Sequence, residues 1–453
     1  MDLIQEAALA AQWPSAQRVV ALKRIVSEAE LQQIVAGTRR GKAFCRCLPA
    51  WFMVWFVVAL GLFCRDSYCQ TYRWLQVYRR RKIPLRSTLC EARQALGVAV
   101  MRKVYEATAK LLVTARTPGG MYQGLRLMAV DGFVIDLADT KANERAFGRP
   151  GGGRSPGAFP QARVLALCET GSHVLWRSLI KPICRGEISM VPQLLRLLRP
   201  DMLLLWDRGF FSYGTVDHVR RQGAQLLARV KNGLVFRPIR HLPDGSYLAK
   251  VYPSPQHRER DEQGLVVRII EYTFDDPGRP GSGQKHRLLT TLIDAELHPA
   301  TELIALYHER WEEELTIDEL KTHQRERPVL RSQTPGGVVQ EIYGLLIGHF
   351  VVRSLMHEAA EAAGVAPRRI SFTGALKILR CRLAECPGSD AGRLRWFRNL
   401  VREVSQEVIE PRRNRINPRV VKRKLSGWPK KHAEHRRYPQ PHKNFAAAIV
   451  LLN

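Results

Sequence analysis

Two acidic residues lie at positions in the sequence where a carboxylate could do chemistry. Asp131 lies within the alternating apolar stretch RLMAVDGFVIDLAD, residues 126–139, and Asp207 directly follows the apolar stretch MLLLW. A carboxylate at the end of a buried strand is costly to desolvate unless it is paired, hydrogen-bonded or bound to a cation. Strand ends are also where catalytic residues gather in α/β sheets. Asp207 could instead only cap the element that follows it, and its position alone leaves both interpretations open.

A third candidate acid belongs to the segment YHERWEEELTIDELK, residues 307–321. In a continuous α-helix with about 100° per residue, four side chains fall within an arc of roughly 60°: Tyr307, Arg310, Glu314 and Lys321. Such a stripe combines a carboxylate that can hold a cation with basic groups that can hold phosphate oxygens. The segment carries further acidic residues among its basic ones, so an ordinary salt-bridged surface is the alternative interpretation.

The charge balance points to a polyanionic partner. The 453 residues include 71 lysines and arginines against 42 aspartates and glutamates, a formal net charge of +29. So large an excess favours binding to nucleic acid or to an anionic membrane surface. Much of it lies in the tail, where residues 412–443 hold twelve basic residues and one acidic residue. The nine cysteines show no zinc-ligand spacing, so we expect reduced thiols and no structural metal.

The first 115 residues read as helical, because apolar residues recur there at helical spacing. The stretch LPAWFMVWFVVALGLF, residues 48–63, is shorter than the roughly twenty residues that a membrane-spanning helix needs. We therefore expect a helix buried in a folded domain, with a membrane span as the alternative. A basic segment, a break at Pro84 and a second helix are compatible with DNA binding of the helix-turn-helix type, although many helical hairpins look alike.

The pattern changes from helix to strand after the linker TPGG at residues 117–120. Three strand patterns come first, at residues 126–139, 163–169 and 173–180. A helix pattern at 187–198 and a further strand pattern at 201–207 follow them. This order indicates an α/β sheet with helices packed on it. Residues 224–298 hold several short strand patterns, among them LVFRPI at 234–239, and predict an antiparallel β module. Helical patterns resume near residue 299.

Taken together, the motifs resemble those of the bacterial insertion-sequence DDE transposases that carry the Tyr-Arg-Glu-Lys signature. The sequence contains D-G within a strand pattern, L-L-W-D-R-G-F after an apolar strand, and Y-x₂-R-x₃-E-x₆-K with every spacing intact. The resemblance covers most of residues 40–425. It implies an α/β fold with an RNase H-like catalytic core, a β-rich insertion between the second and third acids, an all-α N-terminal domain and a basic C-terminal tail.

The resemblance also implies roles for individual residues. The catalytic and metal-binding residues would be three carboxylates that hold two Mg²⁺ ions, for which Mn²⁺ can substitute: Asp131, Asp207 and Glu314. Contacts to DNA near the cleaved end would come from the rest of the signature: Tyr307, Arg310 and Lys321. We expect further contacts to DNA from Arg208 and from the basic tail: Lys422, Arg423 and Lys424.

The expected organisation follows from these assignments. We expect a helical DNA-binding domain at 1–118, the two parts of the core at 119–223 and 299–390, the β-rich insertion at 224–298 and a basic region at 391–453. The expected protein is a DNA transposase that binds terminal inverted repeats, cleaves the ends and joins their 3′-hydroxyls to target DNA. We expect a homodimer on DNA, no membrane partner and a cytoplasmic, nucleoid-associated location. The alternative is a non-catalytic, sequence-specific DNA-binding protein with the same fold.

Overall fold

The computed structural model describes residues 26–38, 48–75, 83–151, 157–308, 316–387, 390–410 and 430–452. These residues form two compact units. The first consists of the described parts of Met1–Leu194 and Glu312–Ile409, and the second of those of Leu195–Trp311 and Glu410–Asn453.

Along the sequence, one group of helices of the first unit precedes its strands and another group follows them. Before the strands come α1 (Glu28–Thr38), α2 (Ala50–Leu62), α3 (Tyr68–Leu75), α4 (Arg86–Leu96) and α5 (Val98–Thr108). After them come α11 (Pro335–Ala363), α12 (Phe372–Arg382) and α13 (Asp390–Val404). All residues of α2 are buried, which confirms the predicted buried helix at 48–63.

Helices α2 and α11 pack with their backbones unusually close together. A Cβ atom on Gly61 would lie 2.2 Å from the carbonyl oxygen of Gly344, and one on Gly344 would lie 2.5 Å from that of Val57. Glycine is therefore required on both sides of this crossing. Helix α11 is long and apolar enough to span a membrane by length and composition, but 89% of its most apolar window is buried. Such burial is typical of the central helix of a folded domain.

The strands of the first unit form an antiparallel arrangement. They are β1 (Met121–Tyr122), β2 (Leu125–Asp136), β3 (Gln161–Glu169) and β4 (Val174–Pro182). Strand β2 pairs with β1 and β3, and β3 pairs with β4. The predicted hairpin of 163–169 with 173–180 is confirmed. Helix α6 (Lys141–Phe147) lies between β2 and β3 in the chain, and α7 (Glu187–Leu195) follows β4.

The second unit begins with a parallel pair of strands. Strand β5 (Met202–Trp206) is wholly buried and pairs in parallel with β6 (Gln225–Arg229). Helix α8 (Tyr213–Arg221) connects the two strands along the chain. The remaining strands pair antiparallel in the order β6, β10 (His286–Thr290), β9 (Leu265–Phe274), β8 (Tyr247–Val251) and β7 (Arg240–His241). Helix α9 (Pro255–Glu259), helix α10 (Ala300–His308) and β11 (Ile449–Leu451), which pairs with β9, complete the unit.

One strand prediction in the second unit is wrong. Residues 234–239 form no strand, and three of their apolar side chains are exposed to solvent, at 37% for Leu234, 76% for Val235 and 56% for Ile239. A short apolar run produces a strand only where a neighbouring strand is available to pair with it.

Candidate active site

Asp131 lies in the middle of β2, directly opposite Ala166 on β3. Residues 127–130 before it are buried, whereas Asp131 and Gly132 are half-buried, so the acid lies where the strand emerges from the core. One carboxylate oxygen of Asp131 accepts a hydrogen bond from the backbone N–H of Gly132 at 2.7 Å. The strand thus holds the acid on a rigid element with part of its side chain accessible.

The glycine after Asp131 has a steric reason. A Cβ atom at Gly132 would lie 2.6 Å from the carboxyl carbon of Glu187, in the first turn of α7. Glu187 in turn forms an ion pair with Arg163 at 2.5 Å. The sequence pattern predicts Glu187 only as the first residue of a helix. Nothing in the spacing of the chain indicates that its carboxylate lies against the D-G motif.

Asp207 directly follows β5, as predicted from the apolar pattern. Its side chain is half-buried, and one carboxylate oxygen accepts a hydrogen bond from the backbone N–H of Arg208 at 2.7 Å. Asp207 is also the N-cap of a short 3₁₀ helix, Arg208–Phe210. The ring of Phe210 packs against that of Trp206, with centroids 5.4 Å apart. The structure thus gives Asp207 the capping position and leaves the residue partly exposed.

The Tyr-Arg-Glu-Lys segment is described only at its two ends. Tyr307 lies in α10 of the second unit and is 5% exposed, whereas Lys321 lies in the first unit and is half-buried. Arg310 and Glu314 lie outside the described residues. The basic residues of the tail at 422–424 also lie outside them.

The predicted stripe along this segment rests on an assumption that the structure corrects. Lys321 belongs to a π-helical turn, Glu319–Gln324, and not to a continuous α-helix that begins at Tyr307. A π-helical turn closes i→i+5 hydrogen bonds, so each residue advances through a smaller angle than 100°. The arc of 60° therefore cannot be extended to Lys321. Turns of this kind are frequent at functional sites.

A buried ion cluster anchors the π-helical turn. Glu319 is 9% exposed and accepts a hydrogen bond from Nε of Arg353 at 2.9 Å and a second from another guanidinium nitrogen. His173 and His349 each place a ring nitrogen 3.3 Å from the same carboxylate. Burial by itself raises the pKa of Glu319, but the charge of Arg353 and the hydrogen bonds from the histidines outweigh it and hold the pKa well below its usual range. The turn that carries Lys321 is thereby fixed to α11.

The described acids have the donor chemistry of a divalent-metal site. Carboxylate oxygens are the ligands that Mg²⁺ prefers, and this ion takes a few of them together with phosphate oxygens of a substrate. Asp131 and Asp207 are both partly exposed. In the part of the chain that the structure describes, no three His, Cys, Asp or Glu side chains are grouped as metal ligands, and Glu314 lies outside that part.

Comparisons with known proteins agree with this chemistry. Residues 122–351 match the family model of the transposase DDE domain, and residues 16–106 match that of the insertion element 4 transposase N-terminal region. The transposase InsG for insertion sequence element IS4 of Escherichia coli K12 is 31% identical over 394 residues, which cover 85% of this chain and 87% of InsG. The putative transposase InsZ of the same strain is 27% identical over 139 residues, 30% of this chain and 46% of InsZ.

Among solved structures, the chain resembles the piggyBac transposase synaptic complex with hairpin DNA, with a TM-score of 0.44 and 13% identity over 87% of this chain and 86% of that one. A TM-score this low does not by itself establish a common fold. The family models and the long match to InsG do not depend on it. The chain therefore belongs to the IS4 family of DDE transposases, and it is a DNA transposase with a mixed α/β fold.

Proposed function

We propose that this transposase binds the terminal inverted repeats of an insertion sequence, cleaves the DNA at their ends and joins the freed 3′-hydroxyls to target DNA. The observation that carries the proposal is the position of Asp207, a partly exposed carboxylate directly after the buried strand β5. A strand end holds a side chain in a fixed position while leaving it accessible, which is what a catalytic carboxylate needs. The half-buried Asp131 on β2 has the same combination of rigidity and access.

The DDE domain implies dependence on a divalent cation, and we propose that this cation is Mg²⁺, held by Asp131, Asp207 and Glu314, with Mn²⁺ able to substitute. Two such ions, when bound, activate the attacking oxygen and stabilise the leaving oxygen of a phosphodiester displacement. The three carboxylates would hold the positive charge of these ions next to the scissile phosphate. Arg310 and Lys321 would hold the phosphate oxygens that flank the cleaved bond.

The remaining residues would position DNA. Tyr307 is buried, which supports a role in orienting the neighbouring signature residues more than a contact made directly on the DNA surface. Arg208 is exposed beside Asp207 and can reach a phosphate. We propose that residues 422–424 add contacts to phosphates that are independent of sequence.

DNA is the partner that the family implies, and the finer assignments are part of the proposal. We propose that residues 1–118 contact the inverted repeats, a region that includes the whole match to the insertion element 4 N-terminal model. We also propose that the protein acts as a homodimer on paired ends and works on the nucleoid in the bacterial cytoplasm.

The test is cleavage of a labelled duplex that carries the element's own inverted repeats, with Mg²⁺, with Mn²⁺ and with EDTA. Asp207→Asn keeps the shape of the side chain and its capping oxygen but removes the charge that holds the cation. Asp201→Asn is the matched control, because Asp201 is an exposed aspartate at the other end of β5. We expect Asp207→Asn to slow cleavage at least about 100-fold, since loss of an outer-shell partner alone costs 10–100-fold.

The outcome separates the two functions that the sequence allows. Metal-dependent nicking at the repeat boundary, lost in Asp207→Asn but kept in Asp201→Asn, would support the transposase mechanism. DNA binding by Asp207→Asn should stay within about twofold of the wild type, because the basic surface is unchanged. Tight, selective binding to the repeats without nicking under any metal would instead favour a non-catalytic DNA-binding protein.

A further inference from the structure

The first unit contains a cavity of about 410 Å³ that is lined by neither Asp131 nor Asp207. It lies where the loop after α2, helices α3 and α4 and the segment 327–340 meet. Five arginines line it: Arg65, Arg86, Arg93, Arg327 and Arg331. We refer to it as the arginine cavity. Its volume lies in the range of ligand pockets, about 300–1,000 Å³.

Positive charge dominates the arginine cavity. Among its lining residues in the described part of the chain, Asp66 is the one acid, and its carboxylate accepts a hydrogen bond from the indole N–H of Trp74 at 2.6 Å. Two further acids lie behind the lining, with Glu341 3.6 Å from Arg331 and Glu326 3.8 Å from Arg65. These acids leave an excess of positive charge, and the mutual repulsion of the arginines is relieved when an anion enters.

Three of the five arginines form no ion pair with an acid that the structure describes. They are Arg86, Arg93 and Arg327. Arg86 and Arg327 are exposed, so their charges face solvent at the mouth of the cavity, whereas Arg93 is 3% exposed. An isolated buried guanidinium is costly, and an anion in the cavity would offset that cost.

The guanidinium groups are held in place by neutral oxygens. Arg93 donates to the hydroxyl of Ser332 at 2.9 Å and also to the hydroxyl of Tyr68 and the carbonyl of Gly337. Arg327 donates to a backbone carbonyl at 2.7 Å and Arg331 to another at 2.6 Å. These hydrogen bonds fix the direction of each guanidinium group without neutralising its charge. Pre-positioned guanidinium groups are the side chains best suited to phosphate oxygens.

The start of α11 adds to the positive potential. Its N-cap Thr334 and the first-turn residue Gly337 both line the cavity, and the helix is 29 residues long. The N–H of Gly337 is bonded to the hydroxyl of Thr334 at 3.3 Å, so it is the positive end of the helix dipole that favours an anion at this position. The helix terminus thus acts together with the five arginines and not as a site by itself.

We propose that the arginine cavity binds a backbone phosphate of the DNA that the transposase acts on. The inference rests on the proposed function in one respect, that DNA is the polyanion present. A phosphate seated there contacts α4 of the N-terminal helical region and the 327–340 segment of the DDE domain at once. DNA binding would thereby reinforce the contacts that Arg93 of α4 already makes with this segment.

The first test compares the salt dependence of DNA binding in two double variants of the full-length protein. Arg86→Gln with Arg327→Gln removes two charges from the mouth of the cavity, and Arg220→Gln with Arg221→Gln removes two exposed charges from α8, outside the proposed repeat-binding region, as a matched control. All proteins also carry Asp207→Asn, so that cleavage does not interfere. Each lost phosphate contact lowers the slope of log K against log salt by about 0.9, so the cavity variant, which loses one phosphate, should lose about 0.9. At about 0.1 M salt this corresponds to roughly 8-fold weaker binding.

The second test reports on the cavity directly. Cys69 and Cys90 line it, whereas Cys184 and Cys381 are exposed elsewhere and serve as internal references. We expect DNA to slow alkylation of Cys69 and Cys90 relative to the references, and we expect this protection to vanish in the Arg86 and Arg327 double variant. Thermal unfolding of both variants shows whether either substitution has disturbed the fold.

Three results would overturn the inference. Equal loss of binding in the two double variants would mean that only the total charge matters. Unprotected cysteines on a saturating DNA duplex would mean that no phosphate enters the cavity. Protection of Cys69 and Cys90 by inorganic phosphate or a mononucleotide at millimolar concentration, but not by DNA, would assign the cavity to a free anion. Cleavage by the otherwise unsubstituted protein is measured in parallel. If DNA protects Cys69 and Cys90 but the protein does not cleave, the proposed chemistry is refuted and the cavity assignment stands.

Discussion

Replacing Glu319 by glutamine would remove the charge of the buried ion cluster while changing its shape very little. In the wild type the carboxylate accepts two hydrogen bonds from Arg353, one of them at 2.9 Å, and has ring nitrogens of His173 and His349 at 3.3 Å. The side chain of Arg353 is 1% exposed, so water cannot replace the lost partner. Glu319→Gln therefore leaves a buried guanidinium without its counter-ion.

The size of the effect follows from this burial. Removing one partner of a buried ion pair costs about 3–5 kcal/mol of the free energy of unfolding. Because the glutamine oxygen can still accept one hydrogen bond from Arg353, we expect a loss of about 3 kcal/mol. Arg353→Met should cost a similar amount, since it leaves the carboxylate buried. The double variant leaves neither charge, so its stability should lie above that of either single variant, with a coupling energy of about 3 kcal/mol or less.

The pH dependence provides an independent check. The folded-state pKa of Glu319 is lowered from an ordinary value of 4.5, so the cluster stabilises the fold fully above that pH and less as the pH falls through the folded-state pKa. The stability difference between the wild type and Glu319→Gln should therefore be constant from pH 7 to about pH 5.5 and shrink by about 1.4 kcal/mol per unit below pH 4.5. Urea denaturation at several pH values measures it. A loss below about 1 kcal/mol at pH 7, or a difference that does not shrink in acid, would refute the ion-pair account.

Two further predictions concern the helix crossing and the basic tail. Gly344→Ala should destabilise the protein by about 1–3 kcal/mol, because its Cβ would lie 2.5 Å from the carbonyl oxygen of Val57, whereas Gly336→Ala in the same helix meets nothing closer than 3.8 Å and should be neutral or stabilising. Thermal unfolding of the two variants decides this, and equal effects would contradict the close packing of α2 on α11. Replacing residues 422–424 by glutamine should weaken binding to all DNA similarly and lower the salt slope by about 2.7, as measured by titration of repeat and random duplexes. A loss confined to the repeat duplex would show that these residues read sequence.

Much of the fold could be predicted because local patterns agree with the final structure. The wholly apolar stretch before Asp207 forms β5, and the alternating stretch around Asp131 forms β2, since strands that are buried on one or two faces leave a clear period in the sequence. The stretch at 48–63 is too short to cross a membrane and proves to be a buried helix. The positions of the first two acids on the strands follow from those patterns.

The signature segment shows where periodicity fails. An arc computed at 100° per residue assumes an unbroken α-helix, but Lys321 lies in a π-helical turn. Tertiary contacts determine that turn: Glu319 is held by Arg353 and His349 on α11 and by His173 next to β4. None of these partners is within the range over which helical periodicity carries information.

The sequence by itself determined the class of the protein, through the spacing of its acids and the excess of basic residues that calls for a polyanion. Only the tertiary structure decided which of the many arginines act together. Arg65 and Arg331 are more than 260 residues apart in the chain, yet they line one cavity. Charge composition is a sum over the chain and carries no positions, whereas an anion site depends on where distant segments pack, and that packing is set by buried contacts such as those between α2 and α11.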